Sequence, residues 1–522
     1  MAQMNSNQDQ TKAEPAAAAA ITRRSKTAGT ALFSALLALS EAAWGAEADK
    51  QTKPPSTLPT EWAGPADTRI KLEVFDRARG EFADWFGNPW VKGKPLPKDY
   101  NYSFVGNKFQ LGLRVTAEPF EAFAQFQDTY IGGLPTHGVG IGAAYYTSTP
   151  LSTQNGAFLR QGWLRLKDMF GVNGLYLNGG RQLFSDGQQG LARHKNLRWI
   201  QDYRIAQRLI GPFEYTHAGR SFDGGSIGFL TDDLEVTGFG FMPTFGGFES
   251  NGMPTIGKVN VAGASLSLRD SENVGNTIGR LSWYYYSDDR DILFVDNRPL
   301  AARKKAVGQG SAIHTIGGHL AHIEEIGPGV ADGTVYAFGQ VGNWQSQNQR
   351  AWAFGIEAGY QFKEVWASPW LRAGINSGSG DDNPGDDTHG TFFQMLPTAW
   401  LYAQFPFYNM MNNQDIFVQG MLTPDPKLSL KLDFHALRVN APQDFVYSGS
   451  GATNDTVFGY VGTPTGGASN LAYLTHVMIN LKPIDHLAFN LFYGHAFGQS
   501  IINNQYDGKQ GNYGFLETIV SF

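Results

Sequence analysis

Basic side chains recur at alternate positions in several stretches of this chain and share a face with few acids. Residues two apart in an extended strand point to the same side. The basic residues on such faces are Arg69, Lys71, Lys108, Arg114, Arg165, Arg280, Arg372, Lys431 and Lys482, against Glu73, Glu357, Asp433 and Glu517. Fixed positive charge along a narrow conduit favours anions over cations. The pattern therefore predicts a path for an anionic solute, unless each basic residue merely pairs with a neighbouring acid or lies at a rim.

A second concentration of basic residues lies between Ser185 and Gly219. This segment carries Arg193, His194, Lys195, Arg198, Arg204 and Arg208 against Asp186, Asp202 and Glu214. If the segment folds inward, we expect Arg193, Lys195, Arg198 and Arg204 to set a cationic constriction through which an acidic solute passes. If it lies outside, it is an ordinary solvated loop.

Four carboxylates stand among turn-forming residues between Ser377 and Asp387. They are Asp381, Asp382, Asp386 and Asp387. Oxygen ligands on a flexible turn suit Ca²⁺, although the spacing lacks the EF-hand pattern and its closing Glu. Apart from this loop calcium, we predict no cofactor.

One string resembles the nucleophile motif of hydrolases. Gly224 to Gly228 matches G-x-S-x-G around Ser226, but the string sits within a strand pattern with no helix after it, so no nucleophile elbow forms. We therefore predict no catalytic residue and no enzyme activity. A barrel hydrolase that uses Ser226, and an adhesin or receptor whose acidic loops bind partners, are the alternatives.

The elements that must position these residues alternate with period two from Thr68 onward. In residues 351–362, Trp352, Phe354 and Ile356 share one face, and Glu357 lies on the other. No run of 18 apolar residues follows the N-terminal region, which excludes helical membrane spans. The alternation of an apolar and a polar face favours transmembrane strands. We predict an all-β fold, a transmembrane antiparallel up-and-down β-barrel of about 18 strands. A soluble β-sandwich or propeller array is the alternative.

The spacing of turn residues supports the barrel. The predicted strands start near Arg69, Phe104, Glu121, Gly156, Gly174, Ser221, Leu234, Lys258, Thr277, His314, Gly333, Arg350, Ser368, Asp415, Leu428, Ala472, His486 and Tyr513. Tight links alternate with mostly long ones, as expected for short periplasmic turns and long extracellular loops. The short link near Ser346 falls where a long loop is due. The chain ends on Phe522 in mid-strand, which predicts an assembly signal whose strand edge must pair with the first strand.

The N-terminal residues predict export. Arg23, Arg24 and Lys26 precede an apolar run and then small residues, the layout of a signal peptide. We therefore predict a signal peptide with a long basic region over 1–45, a short periplasmic segment over 46–67 and the barrel over 68–522. Removal of residues 1–45 changes the net charge from −6 to −7. An acidic exterior repels the phosphates of nucleic acid, so we predict no nucleic-acid partner.

Several short strings resemble the alginate export family of outer-membrane channels. They are Gly180-Arg181-Gln182, Arg220 to Gly224, Ser379 to Asp382 with Thr391 to Phe393, and Leu396-Pro397. The resemblance covers the chain from about Arg69 to Phe522. It implies a monomeric eighteen-stranded barrel whose arginine-lined, electropositive lumen passes an anionic uronate polymer to the outside. In that family a periplasmic loop near the C-terminal end helps to plug the pore, whereas only Lys482 to Asp485 fall at that place here.

Together these observations predict a passive, anion-selective channel in the outer membrane of a Gram-negative cell. It would carry an alginate-like acidic polysaccharide or related anionic solutes. The alternative is a nutrient porin for small organic acids or aromatic compounds. The predicted partners are outer-membrane lipid and lipopolysaccharide, the barrel assembly machinery and the anionic solute.

Overall fold

The alternating segments form long strands that close into a barrel. The computed structural model describes residues 60–65 and 67–522, so the predicted signal peptide lies outside the described residues. Eighteen long strands each pair antiparallel with their chain neighbours, and the last strand pairs with the first. The predicted fold class is confirmed.

The barrel strands begin within four residues of their predicted starts. They are β1 (Arg69–Asp84), β2 (Asn101–Ala117), β3 (Phe120–Gly132), β4 (Thr153–Leu166), β5 (Leu175–Gln182), β6 (Phe222–Leu230), β7 (Leu234–Pro243), β8 (Val259–Leu268), β9 (Thr277–Asp288), β10 (Ser311–Ile326), β11 (Gly329–Trp344), β12 (Gln347–Phe362), β13 (Trp370–Gly378), β14 (Asn413–Asp425), β15 (Leu428–Arg438), β16 (Asn470–Ile484), β17 (Leu487–Gly498) and β18 (Gln510–Ser521).

Short elements occupy the connections. The helices are α1 (Ile141–Ser148), α2 (Lys195–Ile200), which continues as a π-turn (Gln201–Ile205), α3 (Leu300–Lys305) and α4 (Ser500–Gln505), with 3₁₀ turns at Met169–Gly171 and Ala399–Leu401. Two-residue to five-residue strands lie at Glu61–Ala63, Trp90–Val91, Lys94–Pro95, Thr388–His389, Phe445–Gly449 and Tyr460–Pro464. None of the helices in the described part of the chain has the length and apolarity needed to cross a membrane.

The two ends of the barrel differ in the length of their connections. One end carries short turns such as 118–119, 327–328 and 485–486, and the other carries long loops, with 345–346 as the short exception that the sequence predicts. We call these the short-turn end and the long-loop end.

Side-chain alternation places apolar groups outside and polar groups inside. On β12, Trp352 and Ile356 are exposed on the outer face, while Glu357 is buried in the interior. On β2, Leu111 and Leu113 face out and Lys108 faces in. Each strand of the closed antiparallel barrel pairs with two neighbours over at least part of its length, which satisfies the backbone groups of the paired stretches in lipid.

The seam between β1 and β18 is completed by both ends of the described chain. The backbone N–H of Phe522 donates to the carbonyl of Val74 at 2.9 Å, and the N–H of Val74 donates back at 3.2 Å. Beyond this point, the short strand Glu61–Ala63 pairs with residues 69–71 of β1. The Phe522 ring stacks on His486 at 4.8 Å.

The barrel interior is filled by long loops that enter from the long-loop end. We call residues 183–221 the first inner loop, residues 379–412 the second inner loop and residues 439–469 the cover loop. The inner loops are joined by a parallel bridge between Ile210 and Leu396, and the hydroxyl of Tyr460 in the cover loop donates to the carbonyl of Gln394.

The positions of these loops bear on two expectations. The solvated alternative for residues 185–219 is wrong, since most of this segment is buried inside the barrel. The plug that the family resemblance implies at the short-turn end is absent from the described residues, because the connection between β16 and β17 is the turn at 485–486. Loops from the opposite end take its place.

Aromatic packing fixes the second inner loop to the wall. The Trp400 ring stacks on Tyr215 of the first inner loop at 4.2 Å between ring centres. It also meets Phe492 of β17 at 5.1 Å and Tyr513 of β18 at 5.6 Å. One side chain therefore connects both inner loops to two strands beside the seam.

The seam predicts that Phe522→Ala impairs assembly. The substitution removes the ring that stacks on His486 at the point where the barrel closes, and we expect a lower yield of heat-modifiable folded barrel on gels. Phe170→Ala is the matched control, because Phe170 is 91% exposed on a short turn. Equal folded yields in both variants would contradict the role of Phe522.

The interior packing predicts that Trp400→Ala loosens the inner loops without opening the barrel wall. Loss of a buried Trp costs about 3–5 kcal/mol, and we expect faster proteolysis within residues 379–412 while heat-modifiability persists. Trp366→Ala is the control, since Trp366 is 77% exposed. An unchanged cleavage rate in Trp400→Ala would show that this ring does not hold the loop.

Candidate substrate path

The first inner loop runs from the middle of the wall to the short-turn end and back. The β4–β5 pairing ends at Gly162 and Arg181, so β5 gives way to the loop at mid-wall. The backbone N–H groups of Arg193 and His194 donate to the Asp270 carboxylate at 2.7 and 2.6 Å, at the turn between β8 and β9. The negative charge of Asp270 lies at the start of α2, where exposed backbone N–H groups favour it.

A cationic cluster on the wall holds the returning limb of this loop. The cluster consists of Arg77 on β1, Lys108 on β2 and Arg160 on β4. Lys108 donates to Oε2 of Glu214 at 2.7 Å, and Arg160 donates to Oε1 of the same carboxylate. Arg77 donates to the carbonyls of Glu214 at 2.8 Å and Thr216 at 2.7 Å. Three strands thus converge on one loop carboxylate and its backbone.

Neighbouring contacts extend this attachment toward the seam. Arg79 donates to the carbonyl of Tyr215 at 2.8 Å and to Glu517 of β18 at 2.7 Å. Nε2 of His217 lies 2.6 Å from a carboxylate oxygen of Glu81. Residues 214–217 are therefore bonded to the wall through four consecutive positions, and we call them the strap.

The Glu214 side chain combines ionic attachment with partial exposure. Its side chain is 40% exposed, whereas those of Lys108 and Arg160 are 1% and 0% exposed. Desolvation alone would raise the pKa of Glu214, but the charges and hydrogen bonds of Lys108 and Arg160 lower that pKa to about 2. Glu214 is therefore ionised at neutral pH, and its charge is balanced by Lys108 and Arg160.

A second charged cluster holds the middle of the loop. Both oxygens of Glu357 accept hydrogen bonds from Arg204 at 2.8 Å. Arg208 lies 3.3 Å and Arg372 lies 3.2 Å from the same carboxylate, and Arg372 also pairs with Asp332 at 2.9 Å. Three guanidinium groups and two carboxylates therefore neutralise much of one another's charge.

A small polar cavity lies between the first inner loop and the wall formed by β9 to β11. Its lining includes Asp186, Arg208, Arg280, Tyr284 and His319. Arg280 donates to Gln189 and to the Tyr284 hydroxyl at 3.2 Å. Among the described residues, no carboxylate forms an ion pair with Arg280, although the Asp186 carboxylate lines the same cavity.

The predicted basic faces divide into paired and unpaired residues. Five of the nine form ion pairs: Lys71 with Glu73, Lys108 with Glu214, Arg114 with Glu73 and Glu121, Arg372 with Asp332 and Glu357, and Lys431 with Asp433. For these five, the simpler interpretation of pairing describes the geometry. Within the part of the chain that the structure describes, Arg69, Arg165, Arg280 and Lys482 have no ion-pair partner. Arg165 instead lies over the ring of Tyr176 at 5.0 Å.

The four candidates for a constriction do not converge on one ring. Arg193 pairs with Asp232 at 2.9 Å near the short-turn end, and Arg198 pairs with Asp202 at 2.8 Å. Lys195 is exposed, and Arg204 is buried against Glu357. The segment folds inward, which is one of the two alternatives, but the cluster of four cations expected in that case does not form.

The cationic cluster itself was missing from the sequence prediction apart from Lys108. Arg77 continues the alternation of Arg69 and Lys71 along β1, so extending that pattern would have found it. Arg160 lies at a register shift between β3 and β4, where Gln125 pairs with residue 161 and Phe126 with residue 159. This extra residue breaks the period-two pattern, so alternation alone could not place Arg160.

The carboxylates of the acidic turn accept hydrogen bonds from groups within the turn itself. Asp381 accepts from the N–H of Asn383 at 3.0 Å, and Asp386 accepts from Asn383 and Thr388. Asp381, Asp382, Asp386 and Asp387 are not among the described groups of three close metal-ligating side chains, so calcium binding stays a prediction.

Ser226 lies on β6, opposite Asn178.

Comparisons with known proteins agree with this architecture. A family model described as alginate export matches residues 97–507. A search of curated protein sequences found no match. Among solved structures, Pseudomonas aeruginosa OccK9 (OpdG) is 10% identical with a TM-score of 0.54, and the match covers 87% of this chain and 98% of that one.

Two further similar structures from Pseudomonas aeruginosa contain a small molecule that carries a carboxylate group. OccK2 (OpdF) in complex with glucuronate is 9% identical, with a TM-score of 0.52 and coverage of 87% of this chain and 98% of that one. OpdK with vanillate is 10% identical, with a TM-score of 0.51 and coverage of 86% and 98%. At such identities, these likenesses show the barrel fold. With the family match over most of its length, this chain belongs to the alginate export family and is a channel-type β-barrel of the outer membrane.

Proposed function

We propose that this channel passes carboxylate-bearing solutes, and that Glu214 occupies the cationic cluster when no solute is present. The observation that carries the proposal is the contact of the Glu214 carboxylate, on a side chain that is 40% exposed, with two buried cations, Lys108 and Arg160. An anionic partner stabilises a cation that is buried in a protein. A solute carboxylate offers the same chemistry as the Glu214 side chain.

The mechanism is exchange of one carboxylate for another. A solute anion that reaches Lys108 and Arg160 replaces Glu214, and the strap then loses its strongest tie to the wall. Passage is passive and follows the concentration gradient of the solute. Several weak binding sites in sequence allow an ion both to enter the channel and to leave it.

The proposed solute is an acidic polysaccharide of the alginate type, moved outward. The family description supports this class, and the glucuronate bound by OccK2 carries the same kind of carboxylate. The vanillate found with OpdK supports the second candidate, a nutrient porin for small organic or aromatic acids. Both classes of solute would use the cationic cluster. They differ in the length of the molecule and in the direction of transport.

We infer no catalytic role for the lumen. Among the described residues, no hydrogen bond joins the Ser226 hydroxyl to a histidine or a carboxylate, so the activation that a serine nucleophile needs has no support. A barrel hydrolase is therefore disfavoured. An adhesin would bind partners through its loops without conducting, and conductance distinguishes it from a channel. We propose that the protein works as a monomer in lipid and lipopolysaccharide, after insertion by the assembly machinery, and without a cofactor other than the predicted loop calcium.

Channel recordings under a salt gradient test this proposal. We expect anion selectivity in the refolded protein and reversible block by oligouronates. Block by small acids alone would favour the nutrient porin, while cation selectivity or a silent barrel would contradict an anion channel.

Lys108→Gln tests the cluster directly. Losing a charge-assisted hydrogen bond costs about 1.5–3 kcal/mol, and we expect the oligouronate concentration for half block to rise at least tenfold. Lys258→Gln is the control, because Lys258 pairs with Asp291 in an exposed loop. An equal half-block concentration in wild type and Lys108→Gln would place the solute elsewhere.

A further inference from the structure

We propose that Asp433, His435 and His476 form a binding site for a divalent transition-metal cation on the inner wall of the barrel. Asp433 and His435 lie two residues apart on β15 and therefore share its inner face. His476 of β16 is the direct register partner of Asp433. The site is separate from the cationic cluster, and neither the family match nor the proposed path assigns it a role.

The three side chains are buried and close together. Asp433 is 5% exposed, and His435 and His476 are each 1% exposed. One ligand atom from each residue lies within 4.8 Å of the other two. Metal bonds of about 2.0–2.2 Å need donors that are somewhat closer, so binding requires small side-chain rotations toward a common centre.

Several nitrogens in this group have no hydrogen-bond partner. Nε2 of His435 and both ring nitrogens of His476 are buried and unpaired among the described residues. Buried polar atoms are almost always satisfied in folded proteins. A neutral imidazole has one bare lone pair, and a metal cation is the partner that two such lone pairs and a carboxylate can share.

A second carboxylate fixes the orientation of His435. Its Nδ1 lies 2.9 Å from Oδ1 of Asp415 on the neighbouring strand β14. The Tyr408 hydroxyl of the second inner loop donates to the other oxygen of Asp415 at 3.2 Å. An N–H at Nδ1 that donates to Asp415 leaves the lone pair on Nε2, which has no hydrogen-bond partner among the described residues. Metal-binding histidines commonly have such a carboxylate partner.

Local charge also suits a cation. Asp415 and Asp433 supply two negative charges, and Lys431 supplies one positive charge at 2.9 Å from Oδ2 of Asp433. This contact leaves Oδ1 of Asp433 for a metal. The ring of Phe417 packs on His435 at 5.7 Å and that of Phe492 on His476 at 5.8 Å, which limits the access of water.

The ligand set selects the class of metal. Two imidazoles and one carboxylate favour Zn²⁺, Co²⁺, Ni²⁺ or Cu²⁺ over Ca²⁺ and Mg²⁺, which prefer oxygen ligands. The site therefore differs in chemistry from the acidic turn at 381–387.

Titration of the full-length barrel with Zn²⁺ and Co²⁺ tests the proposal. The protein should carry no histidine tag and should be treated with EDTA and dialysed. We expect one equivalent of Zn²⁺ by calorimetry, and visible Co²⁺ absorption bands of a low-symmetry nitrogen and oxygen site. Absence of binding, or only the spectrum of hydrated Co²⁺, would overturn the proposal without any variant.

Variants then locate the bound ion. We expect His476→Gln to abolish stoichiometric binding and Asp415→Asn to weaken affinity about 10–100-fold through loss of the orienting contact. His495→Gln is the control, because His495 on β17 bonds to Asn512 and lies outside the group. Undiminished binding in folded His476→Gln would overturn the assignment.

Discussion

Buried positive charge in the barrel wall is the constraint on which the interior depends. Buried arginines on strands and in the first inner loop need anions or hydrogen-bond acceptors as partners. Glu357 therefore forms ion pairs with Arg204, Arg208 and Arg372. Glu214 forms ion pairs with Lys108 and Arg160. Removing one partner of a buried ion pair typically costs about 3–5 kcal/mol. The loops consequently fold inward as part of the charge balance of the wall.

The wall itself was predictable from the sequence, because period-two alternation is a local signal. The strand starts, the short link at 345–346 and the inner face of Lys108 and Glu357 all follow from it. The inner loops were not predictable, since their contacts join distant positions, such as Arg204 with Glu357 and Trp400 with Tyr513. Alternation also shows which residues face inward without showing which are neutralised. Arg372 lies on the predicted face, yet its charge is balanced by Asp332 and Glu357.

The two sides of the interior differ in charge and in chemistry. On the side of β1, β2 and β4, cations hold the strap through Glu214. On the side of β14 to β16, Asp415 and Asp433 lie with His435 and His476 around unpaired nitrogens. The inner loops contact both sides, through Tyr215 and Tyr408. An anion that displaces the strap and a cation that binds beside Tyr408 would therefore both act on the packing that fills the lumen.

The most direct test of carboxylate exchange is the half-block concentration of an oligouronate for wild type and Glu214→Gln. Glutamine keeps the size of the side chain but removes the charge that competes with the solute. An interaction of about 1 kcal/mol between nearby charges in a water-like medium corresponds to roughly a fivefold change. Carboxylate exchange predicts that Glu214→Gln is blocked at a several-fold lower concentration than wild type. An equal or higher concentration would show that Glu214 and the solute do not compete for Lys108 and Arg160.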